Sequence, residues 1–213
     1  MRTNLLLVLV LPALLAAGGC GRKPWPGEPD PVIIRNKDHY FQVWGEVQKE
    51  TERPLLKYEK NEPLSGDDMH LLEQAHPKIL GLIKDKPQSF PPRVIYAKLL
   101  RASNAPERAL PAYLEALAVA PENPPADFRM IIAECHADIA EIYFAKRQLG
   151  EAEAELRKAL KLSPQTVKFM LSLVQVLLED GQKEAAKSVY QEAKTLAPNS
   201  AGVKSLGRLF ESL

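Results

Sequence analysis

Cysteine is scarce in this chain: two among 213 residues, Cys20 and Cys135. Two are too few for a disulfide framework, and a zinc site needs a cluster of Cys or His at short spacing, which these two do not form. Aromatic residues make up only 7% and glycines number 11, which argues against the aromatic-rich strands and frequent tight turns of a sandwich or barrel. Charge of one sign is missing too. Lys and Arg total 28 against 27 Asp and Glu, a formal net charge of +1, so there is no basic surplus for nucleic acid and no acidic tail. No apolar run reaches the roughly 20 residues a helix needs to span a bilayer. What remains has the size of one domain with appendages.

The first appendage reads as an address. After Arg2, Leu5 to Ala17 is apolar apart from Pro12, and Ala16-Ala17-Gly18-Gly19 supplies small side chains. That is the length of the apolar region of a secretory signal followed by a cleavage site, so the chain is expected to be exported. Two readings of Cys20 stand at this point: an incidental thiol left after an ordinary cut near Ala17, and a modified cysteine. Ala17-Gly18-Gly19-Cys20 resembles the lipobox of bacterial lipoproteins, departing from it at Ala17, where that family most often has Leu. The resemblance implies cleavage before Cys20, a thioether-linked diacylglycerol and an N-terminal acyl chain. The lipid bilayer would then be a partner through acylated Cys20, since two or three acyl chains anchor firmly where one does not. Gly21 in place of Asp resembles lipoproteins sorted to the outer membrane, which in a Gram-negative host means its periplasmic face. Pro24, Pro26, Pro29 and Pro31 follow. They favour extended polyproline II and give a semi-rigid spacer of about 50 Å at most from Cys20 to Asn36. The expected boundaries are a signal peptide over 1–19, a Pro-rich tether over 20–35 and a capping segment over 36–65.

Beyond this point a rhythm sets in. Pro87, Pro121, Pro164 and Pro198 are spaced by 34, 43 and 34 residues. Twelve residues before each stands Ala75, Ala109, Ala152 or Ala186; eight before, Ile79, Tyr113, Leu156 or Tyr190; five before, Leu82, Ala116, Ala159 or Ala193. Small residues at two of these positions let helices approach closely, and the large one fills the groove between them. Preceding helices carry Tyr96-Ala97 with Leu100, Ile139-Ala140 with Tyr143, and Leu173-Val174 with Leu177. This pattern resembles the tetratricopeptide repeat, whose period is 34. The resemblance implies an all-α chain: a short right-handed solenoid of helical hairpins, with about three full repeats, an N-terminal half repeat and a C-terminal capping helix. Repeats are expected near 66–89, 90–123, 124–166 and 167–200, with the cap over 201–213.

Irregularities modify that frame. Nine extra residues between Pro121 and Pro164 fit one long helix over 126–146, with Phe128, Ile131, Ile132, Cys135, Ile139 and Ile142 at helical spacing. Ser65-Gly66-Asp67-Asp68 forms a capping box that starts a helix. Residues 57–66 cannot be its partner helix, because Pro63 and Gly66 fall inside them. Pro77 and Pro111, each ten residues before its anchor proline, are expected to bend or delay their helices. Residues 36–51 fit a helix through Tyr40, Val43, Trp44 and Val47, and a strand through Phe41, Val43, Gly45 and Val47; with no β partner in the chain, the helix is preferred.

Chemistry is sparse. His70 and His76 lie about 240° apart on a helix, and adjacent Cys135 and His136 point to different faces. No Gly-rich phosphate loop, nucleophile–base pair or CxxC occurs, so no enzyme, cofactor or metal is expected. Binding is the better expectation. The first helices of stacked repeats line a concave face, which places Lys98, Arg101, Glu134, Asp138, Glu141, Phe144, Lys168, Leu171 and Gln175 as groove candidates. Repeats of this family that hold a C-terminal carboxylate use Lys, Arg and Asn, and the Asn positions are missing here. The expected function is a membrane-anchored scaffold for a protein or peptide partner in the bacterial envelope. In architecture it resembles the repeat lipoproteins of outer-membrane barrel assembly and pilus secretin targeting. The alternative is a self-associating structural lipoprotein, whose partner is a second copy of the chain.

Overall fold

A computed structural model describes residues 29–211. The expected signal peptide, Cys20, Pro24 and Pro26 therefore lie outside the described residues. Within them the chain forms nine α-helices and no strand. They divide into two compact units, the chain passing from one to the other between Asn123 and Pro124. The N-terminal unit holds α1 (Lys37–Glu59), α2 (Gly66–Asp85), α3 (Phe90–Ala102) and α4 (Pro106–Ala118); the C-terminal unit holds α5 (Ala126–Ala145), α6 (Leu149–Leu162), α7 (Val167–Glu179), α8 (Lys183–Leu196) and α9 (Ala201–Glu211). α1 pairs with α2, α3 with α4, α5 with α6 and α7 with α8.

The four hairpin turns share one solution. Each contains a residue in the left-handed region: Asn61 (φ 56°), Asn104 (58°), Arg147 (61°) and Gly181 (80°). In each, the next amide donates five residues back: Glu62 to Lys57, Ala105 to Leu100, Gln148 to Tyr143 and Gln182 to Leu177, at 2.8–3.0 Å. This is the Schellman closure, which satisfies carbonyls that a helix end would otherwise leave bare. Asn tolerates the conformation better than most residues and Gly adopts it freely; Arg147 does so at a cost in strain.

The turns number the repeats more surely than the prolines do. Asn104 to Pro121, Arg147 to Pro164 and Gly181 to Pro198 each span 17 residues, whereas Asn61 to Pro87 spans 26. The half repeat expected near 66–89 is thus a whole hairpin with a lengthened second helix. Its partner is α1, which runs past Thr51 to Glu59. Pro54 removes one helix hydrogen bond, but Pro54 and Leu55 are both buried, and that burial offsets the loss. The extra length in the third hairpin sits in the first helix: α5 has 20 residues against 13 in α3 and α7, about two additional turns.

Packing follows the small–large–small pattern. Ala75, Ala109, Ala152 and Ala186 are fully buried, as are Leu82, Ala116, Ala159 and Ala193; Ile79, Tyr113, Leu156 and Tyr190 are at most 5% exposed. Pro77 and Pro111 lie inside α2 and α4 without ending them. α9 closes the C-terminal unit by burying Val203 and Leu206 and laying Phe210 on Tyr190, ring centroids 4.9 Å apart.

At the other end, the last residues of the Pro-rich stretch do not hang free. Val32 N–H donates to the Pro77 carbonyl at 2.9 Å. A Cβ on Gly81, one turn further along α2, would meet the Val32 carbonyl oxygen at 2.2 Å. Glycine is required there because a strap of backbone crosses the helix. Asn36 then caps α1 by accepting from the His39 amide at 2.8 Å.

Candidate binding site

In the N-terminal unit, α1 has claimed the cationic groove candidates. Lys98 donates to Glu59 at 2.7 Å, and Arg101, 9% exposed, lies 5.5 Å from the centre of the Tyr58 ring. The last turn of α1 therefore rests on the α3 face that the repeat register marks as a groove.

A cavity of about 410 Å³ opens elsewhere in this unit, between α2, α3 and α4. Its apolar lining is Leu80, Ile83, Leu100, Pro111 and Ala112; its polar lining is Arg93, Tyr96, Glu107, Arg108 and Glu115. On α3 the residues that face it lie roughly 130° around the helix from Lys98 and Arg101. Arg93 is fixed from two sides, donating to the Pro87 carbonyl at 2.9 Å and to Glu115 at 3.1 Å. Arg108 donates to the Tyr96 hydroxyl at 3.4 Å, and the Tyr96 ring stacks at 5.6 Å on His76, which is 3% exposed. An apolar floor under oriented charged groups is the usual composition of a binding pocket. The sequence did not mark this site, because its lining comes from three helices and only one of them is a first helix.

In the C-terminal unit the candidates separate. Glu134, Asp138 and Glu141 are half-buried on α5, and Phe144 packs against the core. Lys168 is exposed, but Leu171 and Gln175 are each 6% exposed. α9 reaches this face, since a Cβ on Gly202 would stand 2.6 Å from Leu171 Cδ1. Gln175 keeps a buried side-chain oxygen without a hydrogen-bond partner. Leu171 and Gln175 thus belong to the interior of the unit.

The remaining chemistry-bearing residues serve the fold. Cys135 is fully buried. His136 Nδ1 meets Glu155 at 2.6 Å, and Lys158 donates to the same carboxylate at 2.6 Å. Burial works to raise the Glu155 carboxyl, but these hydrogen bonds outweigh it and hold it below its ordinary value. Asp68, fully buried, accepts from Lys57 at 2.8 Å, from Arg53 at 2.7 Å and from the Ser65 amide at 2.9 Å. The Lys57 hydrogen bond is the largest influence, and the carboxyl is held far below the usual carboxylate range. His70 is exposed beside Gln74 and Glu73. Among the described residues no group of three or more His, Cys, Asp or Glu is arranged to hold a metal ion, and no helix is long and apolar enough to cross a membrane.

Repeated hairpins with a common turn define a helical-repeat protein, and comparison with known proteins specifies the repeat. Residues 137–201 match the family described as tetratricopeptide repeat. Among solved structures, MamA is similar with a TM-score of 0.55 at 13% identity, covering 76% of this chain and 86% of that one. PilF of Pseudomonas aeruginosa gives 0.54 at 19%, covering 76% and 66%. A thermophilic tetratricopeptide-repeat protein of Thermus thermophilus gives 0.52 at 17%, covering 82% and 96%. No curated protein matches the chain. Residues 137–201 thus carry the tetratricopeptide-repeat match, and the described residues have the all-α fold of solved tetratricopeptide-repeat structures.

Proposed function

We infer that this is a non-catalytic scaffold, anchored to an envelope membrane through acylated Cys20, that holds a segment of a protein partner in the cavity between α2, α3 and α4. The observation that carries the partner site is that cavity's make-up. A floor of Leu80, Ile83, Leu100 and Ala112 lies beside Arg93 and Arg108, both fixed by hydrogen bonds before anything binds. Preorganised polar groups lower the entropic cost of association. The fold supports the same reading, because helical-repeat stacks serve widely as protein-binding surfaces. In the C-terminal unit, exposed Lys168 is the proposed additional contact. The anchor rests on the sequence around Cys20.

Two experiments separate the parts. Cys20→Ala is expected to move the protein from the membrane fraction to the soluble one; unchanged fractionation overturns the anchor. Leu80→Glu places a charge on the cavity floor and is expected to remove a co-purifying partner while the melting temperature stays near that of the parent. A partner that survives Leu80→Glu but is lost on charge reversal at Lys168 moves the site to α7. Concentration-dependent dimerisation that survives both variants favours the self-associating alternative.

A further inference from the structure

The strap across α2 also decides which side chains face outward beside it. Val32 lies on α2 through its backbone, its N–H on the Pro77 carbonyl and its own carbonyl against Gly81, and the side chain of the next residue, Ile33, is 81% exposed. A large aliphatic side chain held outward by a fixed backbone gains nothing for the fold. A few residues on, α1 shows a second instance. Its buried stripe starts with Tyr40, Val43 and Val47, and Phe41, one residue off that stripe, is 54% exposed. Two ammonium groups flank the Phe41 ring, Lys37 at 5.9 Å and Lys86 at 5.5 Å, and Lys86 also lies 3.6 Å from the centre of the Tyr40 ring. Arg35 and Lys84 are exposed at the same end of the hairpin, and so are the acids Asp38 and Asp85.

We propose that this end of the α1–α2 hairpin, which carries exposed Ile33 and Phe41 together with Lys37 and Lys86, is a contact surface for a lipid bilayer. Apolar and aromatic side chains flanked by long cationic ones are the groups that settle at the level of lipid headgroups, where rings and methyls enter the acyl boundary and ammonium groups reach phosphate. The position of the surface on the chain argues for a bilayer over another occupant. Clipping Val32 to α2 leaves eleven residues between it and Cys20, a span of about 37 Å at full polyproline II extension. The leash therefore joins the body at this end, and these side chains lie near its point of attachment, within reach of a membrane that holds Cys20. The proposal rests on the anchor reading and deepens it: the Pro-rich segment is a short leash to a surface that touches the bilayer.

The test uses the unacylated polypeptide Gly21–Leu213, so that no lipid chain contributes. It is sedimented with vesicles of phosphatidylglycerol and phosphatidylethanolamine, and with vesicles of phosphatidylcholine alone. The chain is expected to pellet with the anionic vesicles and to be released by salt. Lys37→Gln and Lys86→Gln are each expected to weaken partitioning by about fivefold, the equivalent of one charge near an anionic surface. Ile33→Ser, at an exposed position that cannot disturb packing, is expected to weaken it as well, with an unchanged melting temperature. Absence of binding to the anionic vesicles, or binding that Ile33→Ser and Phe41→Ser leave intact, overturns the proposal. The anchor stands or falls separately: a chain that fails on vesicles while Cys20→Ala still solubilises the cellular protein refutes the contact surface and keeps the anchor.

Discussion

At Gly81 a single missing Cβ decides where the N-terminal segment lies. Gly81→Val would place a methyl-bearing carbon 2.2 Å from a backbone oxygen, and the strap has to leave. Trypsin should then cut after Arg35 markedly faster than in the parent, while the hairpin beneath melts almost unchanged; equal cleavage rates would show that the strap is not held at Gly81. Asp68 governs a different property. Its carboxyl is held far below the ordinary range, so its stabilising contribution is complete above the unfolded-state value of about 4 and is lost as the pH falls toward the folded value. Glu155 has the same sign. Thermal melts from pH 7 downward should stay level to about pH 5 and then fall, and Asp68→Asn should flatten that acid limb. An acid limb of the same depth in the variant would remove Asp68 from the account.

Among the elements, the hairpins were readable in the sequence to different degrees. The alanines twelve residues before each proline announced the second helices, because only a side chain of that size fits where Ala109, Ala152 and Ala186 are fully buried. The first hairpin was harder. Its second helix is nine residues longer from turn to proline, so the register that worked elsewhere looked for the partner helix in residues 57–66 and met Pro63 there. The landmark that corrects this, a left-handed residue at 61, 104, 147 and 181, is carried by Asn, Asn, Arg and Gly, a set with no common sequence signature. The groove candidates fared unevenly for a related reason. Register says which way a side chain points, but whether it meets solvent depends on what packs next to it: α1 on Lys98 and Arg101, α9 on Leu171. The cavity at Arg93 and Tyr96 stayed hidden because three helices must meet to form it. α9 itself is a test of the capping role. Leu206 is 3% exposed, and Leu206→Ala should cost about 2–5 kcal/mol in denaturant unfolding. A cost within a few tenths of that of an exposed substitution would mean that α9 does not close the unit.

For the molecule as a whole, the proposed function reduces to where it is held and what it holds. The N-terminal unit combines a fixed strap, an exposed apolar–cationic end and a cavity with preset arginines; the C-terminal unit carries the repeats that match the family and a helix that seals them. The central claim is that a protein partner occupies the cavity of the membrane-held protein. A photoreactive residue at Glu107, exposed at the cavity's edge, activated in intact cells of the native host, reads both halves at once. The account predicts one adduct with a different protein, recovered with membranes, absent when Leu80→Glu is added and shifted to the soluble fraction when Cys20→Ala is added. An adduct that persists through Leu80→Glu, or one whose mass is that of two copies of this chain, would contradict it.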